Sequence, residues 1–378
     1  MNKLMFVRGD FMTDNERIIF ELIRKNPFIS QQDIADQVGL SRSAVANIIS
    51  SLVKKEYLLG KAYVFNERNS VVCVGAANLD KKIKTANELQ GYTSNPITSQ
   101  VSIGGVVRNI AENLGRLEQD VVLISTVGND PEWSRIKTLS SPFMNTESVI
   151  VIEGQSTGCY TALLDIDGEM YLGLADMSIY DYFKPELLIK QQNYLRNAKC
   201  LVVDLNCPKE TVEFLRAYAQ KQQIKLAIIA VSEPKMKHLP KQLSGVDYLF
   251  INKGELEAFI ERVLDSEEKL KEAVNEVLDY GVEHIILTLG SKGVLSASKN
   301  NYQWYQVKQL EPSKIVDVTG AGDSFSAAFI DAWLQDKNEQ QCILAGMTNA
   351  YYTIQSEFTV RPNLSKTQLQ TEMENFYE

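Results

Sequence analysis

The sequence predicts an α/β chain in which a large, doubly wound, mostly parallel sheet carries a small β lid and is preceded by a small helical module. Three patterns lead there. From residue 71 onward, short apolar runs such as VVCV, VVLI, CLVVDL and KLAIIAV alternate with amphipathic stretches of helical period, which is how parallel βαβ units buried on both faces read in sequence. Residues 81–85, 98–103 and 159–174 instead alternate apolar with polar, the period of strands with one open face; the lid is expected within about residues 81–103 and 157–174. Ahead of both, residues 13–66 space isoleucine and valine for short helices around Gly39.

Size and composition narrow the field. The 378 residues hold one large domain and an appended module, divided as a tail at 1–12, a module at 13–66 and the large domain at 71–378. No apolar run approaches the roughly 20 residues that span a bilayer, and the N-terminal LMFV is too short for a secretory core. A cytoplasmic protein without membrane contact is expected. Five cysteines, Cys73, Cys159, Cys200, Cys207 and Cys342, are scattered without a CxxC pair, which indicates neither a disulfide framework nor a zinc site. Cys73 and Cys200 fall in apolar runs and read as buried thiols. Two histidines far apart, His238 and His284, argue against histidine catalysis. The formal charge of −9 divides unevenly, with nine Lys/Arg against seven Asp/Glu up to Asn66 and about −11 for the remainder, so any nucleic-acid contact belongs to the first segment.

In that segment DNERIIFELIRKN places Ile18, Ile19, Leu22 and Ile23 on one helical face and stops before Pro27. Ser30 and Ser41 are the expected caps of a second and a third helix joined at Gly39, with Ile34, Ala35, Val38, Val45, Ile48, Ile49 and Leu52 as their shared core. YLLGKAYVF suggests two short strands around Gly60, a wing. The segment resembles the winged helix-turn-helix of bacterial transcription regulators. That resemblance implies a third helix lying in the major groove, with Arg42, Ser43, Asn47 and Lys61 as DNA contacts. The alternative is a module kept for dimerisation or protein contacts.

The large domain opens with VVCVGAANLD, a buried strand that delivers Asn78 and Asp80 at its end. SIGGVVRNIAENLGRL follows, a Gly104-Gly105 turn into an amphipathic helix with Asn109 one turn in. CYTALLDIDGEMYLGL alternates around Asp167-Gly168 and reads as the lid hairpin. Residues 187–197 and 210–220 are expected helices. YLFINKGELEAFI is a strand and a helix whose junction holds Asn252 and Glu255, spaced as a capping box. HIILTLGSKGVLSAS turns at Gly290 and Gly293.

Near the end stands DVTGAGDSFSAAFIDAWL. A glycine-alanine-glycine turn opening into a helix presents backbone N–H groups at the positive end of the helix dipole, which suits an anion. Asp323 sits in the first turn, where its carboxylate can take a proton from an alcohol while the Gly320, Ala321 and Gly322 amides hold the phosphoryl group that the alcohol attacks. The combination describes a small-molecule kinase. There is no GxxxxGK[ST] string and no protein-kinase signature set.

The two strings, SIGGVVRNIAENLGRL and DVTGAGD, resemble in order and separation the signatures of the ribokinase-like (PfkB) carbohydrate kinases, over about residues 71–357. The resemblance implies sugar hydroxyls at Asn78, Asp80, Gly104, Gly105 and Asn109, nucleotide at Asn252, Gly290, Gly293, Gly320 and Gly322, and Mg²⁺ placed through water by Glu255. It also implies adenine beside Ala345, Gly346 and Ala350, a K⁺ ion beside the glycine loop, and a homodimer. Within the family GAANLD, GGVVRNIAENL, DMSI and VSEPK look closest to pseudouridine kinases, which implies ATP-dependent phosphorylation of a ribonucleoside 5′-hydroxyl. Val107, Ala175, Ile229-Ala230 and Ile251 depart from that subgroup's usual residues. The competing expectations are a kinase for another nucleoside or a free sugar (ribose, fructose or inosine), and a transcription regulator that senses a nucleoside.

Overall fold

The computed structural model describes residues 12–25, 29–55, 57–58 and 69–377. The tail at 1–11, Pro27, most of the expected wing with Lys61, and the link at 66–68 lie outside the described residues. By internal contact the chain divides into two compact units, Met1–Asn66 and Glu67–Glu378.

In the first unit, helices α1 (Asp14–Lys25), α2 (Gln31–Val38) and α3 (Arg42–Lys54) enclose a core of Ile19, Ile34, Ala35, Val45, Ile49 and Leu52. Ser30 and Ser41 cap α2 and α3 by accepting the N–H of Asp33 at 3.0 Å and of Ala44 at 3.2 Å. Gly39 ends α2 in the left-handed region. Glu16 on α1 accepts from Ser51 and Lys55 at the far end of α3, fixing the two helices against each other. Ile18 is a correction: it is 49% exposed, because the inward stripe of α1 is set by Ile19 and the next residue round lies about 100° away. Arg42, Ser43 and Asn47 all lie exposed on α3.

The second unit is built on an eight-stranded sheet. Its strands and those of the lid are β1 (Ser70–Val74), β2 (Asn78–Thr85), β3 (Ile97–Gly104), β4 (Val121–Ile124), β5 (Thr126–Val127), β6 (Ile150–Val151), β7 (Cys159–Leu164), β8 (Met170–Asp176), β9 (Ala198–Asp204), β10 (Lys225–Ile229), β11 (Tyr248–Asn252), β12 (His284–Thr288), β13 (Val294–Ser298) and β14 (Asn301–Tyr305). The main order is β14-β13-β12-β11-β10-β9-β1-β4. All pairs from β12 to β4 are parallel, and β13 and β14 add an antiparallel edge. Alternate residues of each strand go to opposite faces, and both faces are covered. The unit's helices are α4 (Val106–Arg116), α5 (Pro131–Ser140), α6 (Pro185–Lys190), α7 (Gln192–Arg196), α8 (Lys209–Gln222), α9 (Lys253–Ile260), α10 (Glu267–Asp279), α11 (Ala321–Leu334), α12 (Glu339–Thr353) and α13 (Lys366–Glu374). Val71, Cys73, Cys200 and Val202 pack under α4, α11 and α12, whereas Val72, Val74, Leu201 and Val203 meet the opposite layer, which includes Val212, Leu215 and Val277. That double cover is why the parallel strands are mostly apolar. All five cysteines are free thiols.

The lid is a four-stranded sheet of order β3-β2-β7-β8. Asp80 stands opposite Ser102 and Tyr160, and Lys82 opposite Gln100 and Ala162, so these residues share one face. The expected helix at 187–197 is two short ones, Pro185–Lys190 and Gln192–Arg196. Among the described residues no helix is long and apolar enough to cross a membrane.

Candidate active site

Loops leaving the carboxyl ends of the parallel strands gather the chemistry, as a doubly wound sheet requires. Asp204, at the end of β9, is fully buried. Its carboxylate accepts the N–H of Ala76 at 3.0 Å, of Val107 at 3.1 Å and of Asn206 at 2.9 Å. Because Val107 lies in the first turn of α4, the carboxylate neutralises the positive end of that helix and ties it to the exit of β1. Burial pushes the Asp204 pKa upward, and the backbone N–H donors work against it. Tyr180 holds the same exit, its hydroxyl accepting the Ala77 N–H at 3.0 Å and donating to the Ala77 carbonyl at 2.9 Å.

Past this exit, the Asn78 amide donates to the Asp80 carboxylate at 2.8 Å. Asp80 needs glycine at 104, since a Cβ there would lie 2.1 Å from its Oδ2. At Gly105 φ is 100° and a Cβ would stand 2.4 Å from the Ala76 carbonyl oxygen; glycine alone meets both conditions. Burial raises the Asp80 pKa to about 6, opposed by Asn78, Arg108 and Lys82. Arg108 is 1% exposed and paired with Glu112, which also binds Arg116 at 2.7 Å. Asp80, Lys82, Ser102, Arg108, Tyr160 and Asp317 are among the residues lining a cavity of about 900 Å³ beneath the lid.

The loop before α11 closes the other side. Gly320 precedes the helix at φ 85°, with the Thr359 carbonyl oxygen 2.3 Å from where a Cβ would be. The first-turn amides of α11 have no intrahelical acceptors. Asp323 stands among them, half-buried, and its Oδ2 accepts from the Asn109 amide at 2.8 Å across 214 residues of sequence. Burial lifts its pKa to about 7; Asn109 and Arg108 oppose, while the Asp204 and Asp80 charges add to the rise. A carboxylate of that affinity exchanges protons near neutral pH. Asp317, at the start of the loop, accepts the Thr319 N–H at 3.0 Å and pairs with Lys82 of the lid. To the potassium ion implied by the resemblance we assign no ligand.

Two further corners lie on the same edge. Asn252 and Glu255 form a reciprocal capping box at the start of the helix Lys253–Ile260, the Asn252 Oδ1 accepting the Glu255 N–H at 2.9 Å and Glu255 accepting the Asn252 N–H at 2.8 Å. A Cβ at Gly254 would meet the Glu233 carboxylate at 2.6 Å. Burial raises the pKa of Glu255 and the Glu233 charge adds to it, while the Asn252 N–H opposes. Two converging carboxylates and an amide fit a hard divalent cation held largely through water. Gly290 and Gly293 form the turn between β12 and β13, both with positive φ.

Residues 68–366 match the model of the pfkB family of carbohydrate kinases. The chain belongs to that family. As a pfkB kinase it is an ATP-dependent phosphotransferase with a hydroxyl acceptor. YeiI, an uncharacterised sugar kinase of Escherichia coli (strain K12), is 30% identical over 325 residues, 86% of this chain and 89% of that protein. The pseudouridine kinase of the same organism is 25% identical over 310 residues, covering 82% and 98%. The structure of Arabidopsis thaliana ribokinase complexed with ribose and ATP shares 82% of this chain and 99% of its own with a TM-score of 0.72, at 20% identity, a likeness of fold alone. Residues 12–58 match a winged helix-turn-helix DNA-binding model.

Of the residues singled out from the pfkB-like strings, Asn78, Asp80 and Gly104 meet at one point and Asn109 and Asp323 at another. Asn252 and Glu255 meet each other only. Ala345 and Gly346 do not face a ligand space: Ala345 is core, and Gly346 abuts the Phe325 ring, where a Cβ would come within 2.8 Å. Their smallness serves the close approach of α12 to α11. Val107 is likewise buried in the core, its N–H on Asp204. Sequence reading overlooked Lys82, Arg108, Asp204, Glu233 and Asp317. Of these, Arg108 stands directly beside Asn109 in the string RNIAENL.

Proposed function

We propose that this pfkB kinase phosphorylates the 5′-hydroxyl of a ribonucleoside, pseudouridine first among them, and that its N-terminal module binds DNA. The observation that carries the kinase reading is the Asn109–Asp323 contact: it joins the glycine turn after the lid to the first turn of α11, so that an alcohol held at Asp80 and a phosphoryl group held at the α11 amides share one carboxylate. Asp323 accepts the hydroxyl proton as the oxygen attacks. The Gly320, Ala321 and Gly322 amides take the charge of the transferring group, so that catalysis is mainly positioning and electrostatics. Asn78 orients Asp80, and Gly104, Gly105 and Asn109 shape the ribose wall. Asn252, Gly290 and Gly293 border the nucleotide, and Glu255 with Glu233 places Mg²⁺, which when bound would supply positive charge at the phosphates.

Pseudouridine rests on the likeness of GAANLD, GGVVRNIAENL, DMSI and VSEPK and on the relative described above. A coupled assay of ADP release over pseudouridine, uridine, inosine, adenosine, ribose and fructose tests it: the highest kcat/KM is expected with pseudouridine, and preference for a free sugar would overturn the nucleoside assignment. DNA binding rests on the exposure of Arg42, Ser43 and Asn47 at the start of α3. A homodimer is supported by Ile97, Leu172 and Leu174, each about half exposed on the lid face opposite Asp80.

A further inference from the structure

We propose that Lys82 is a catalytic residue, an ammonium carried on the lid that leaves Asp317 to bind the transferring phosphoryl group. The inference rests on the kinase reading above and adds to it a charge that neither the glycine turns nor the magnesium corner supplies.

Alternation along β2 puts Lys82 on the same face as Asp80, one strand period or roughly 6.6 Å further on, and both residues line the cavity under the lid. If Asp80 holds the acceptor, the next residue on that face lies over what the acceptor attacks. Lys82 already reaches that far: its Nζ binds the Asp317 carboxylate across 235 residues of sequence. Asp317 is fastened to the loop by the Thr319 N–H and precedes Gly320 by three residues. The ammonium is therefore parked beside the turn whose amides receive the phosphoryl group.

Two of the other cations around the cavity are committed: Arg116 binds Glu112 and donates to the Pro362 carbonyl at 2.9 Å, and Arg135 donates to the Val101 carbonyl at 3.1 Å. Arg108 binds Glu112 through one nitrogen and leaves its Nε and Nη1 without a partner among the described residues, but at 1% exposed it is fixed in the wall rather than carried on the lid. Lys81 belongs to the opposite face of β2 by alternation. Lys82 is different, because its side chain is 40% exposed and that of Asp317 is 22% exposed. A half-solvated ion pair of this kind is weak. A phosphoryl oxygen gaining charge in a closed, dry site is the stronger partner. In the step itself the acceptor O–H proton passes to Asp323, the acceptor oxygen bonds to the γ-phosphorus, and the bond from that phosphorus to the β,γ-bridging oxygen breaks with its electron pair leaving on ADP. Lys82 donates hydrogen bonds throughout and transfers no proton.

The test uses the full chain with Lys82→Met, Lys82→Arg and Asp317→Asn, measuring turnover and, by calorimetry, the binding of ADP and of adenosine 5′-(β,γ-imido)triphosphate with magnesium. The loss of one charge at a developing phosphoryl anion is expected to lower kcat by roughly 100-fold in Lys82→Met. ADP affinity is expected to stay within about twofold and analogue affinity to fall, because only the triphosphate reaches Lys82. Lys82→Arg should recover part of the loss. Asp317→Asn frees the ammonium and should keep kcat within about tenfold of wild type. Equal losses in Lys82→Met and Asp317→Asn would mean the pair is only a lid latch, and wild-type kcat in Lys82→Met would remove Lys82 from catalysis. If the wild-type chain itself fails to bind the triphosphate analogue, the kinase reading falls and takes this proposal with it.

Discussion

Replacing Asp323 with Asn removes a charge and a proton acceptor while keeping the shape of the side chain and the contact from Asn109, whose amide donates to the same oxygen position at 2.8 Å. Loss of a positioned base is expected to lower kcat by about 10²–10⁴-fold, with the KM of either substrate nearly unchanged. Stability should move the other way. Burial raises the Asp323 pKa from 3.8 to about 7, so the folded state holds a proton that the unfolded state has released between those values. That contribution is fully present below pH 3.8 and is lost as pH rises through about 7. At pH 8 the wild type carries the whole cost of a buried carboxylate, at most about 4 kcal/mol at 1.36 kcal/mol per tenfold change in proton affinity. The Asn variant is free of it, and its thermal midpoint should therefore exceed the wild type's at pH 8 and converge with it near pH 4. The same titration predicts that wild-type kcat/KM falls as pH drops below about 7. ADP release and thermal melts across this range check both parts. Wild-type turnover in the variant, or a rate that ignores pH from 5.5 to 8, would refute the base assignment.

Gly104→Ala pushes a methyl group into the Asp80 carboxylate and should raise the acceptor KM at least tenfold while leaving ADP binding intact by calorimetry. Acceptor KM in the wild type should climb as pH falls below about 6, where Asp80 takes up a proton and loses half its capacity to accept from hydroxyls; a KM that is flat from pH 5 to 8 would contradict that role. In the first unit, Arg42→Ala should weaken DNA binding at every sequence tested and flatten the salt dependence by about one ion, read by fluorescence anisotropy at several salt concentrations. An unchanged slope would favour a module that does not bind DNA.

Legibility followed the range of the interactions. The caps at Ser30 and Ser41, the capping box of Asn252 and Glu255, and the parallel order implied by apolar strands were all visible, because each depends on residues a few places apart or on a simple period. The lid strands were readable from alternation, but not which of their residues faced inward across the cavity. What escaped were pairings set by the fold: Lys82 with Asp317, Asn109 with Asp323, and Asp204 with the amides of Ala76 and Val107. A buried aspartate ending a Val/Leu strand looks like any strand terminus until β1 and α4 are placed against it. Small residues misled as well, since Ala345 and Gly346 suggest room for a ligand in sequence and provide room for a neighbouring helix in three dimensions. Ile18 shows the limit of a helical stripe at its margin, where one residue's rotation separates core from solvent.

The most direct test of phosphoryl transfer at the Gly320–Asp323 corner is to identify the product formed from ATP and pseudouridine by mass spectrometry and phosphorus–proton coupling. The wild type should yield one nucleoside monophosphate carrying phosphorus on O5′, and Asp323→Asn should yield almost none in the same time. Release of inorganic phosphate alone, or phosphorus on a different oxygen, would contradict the account.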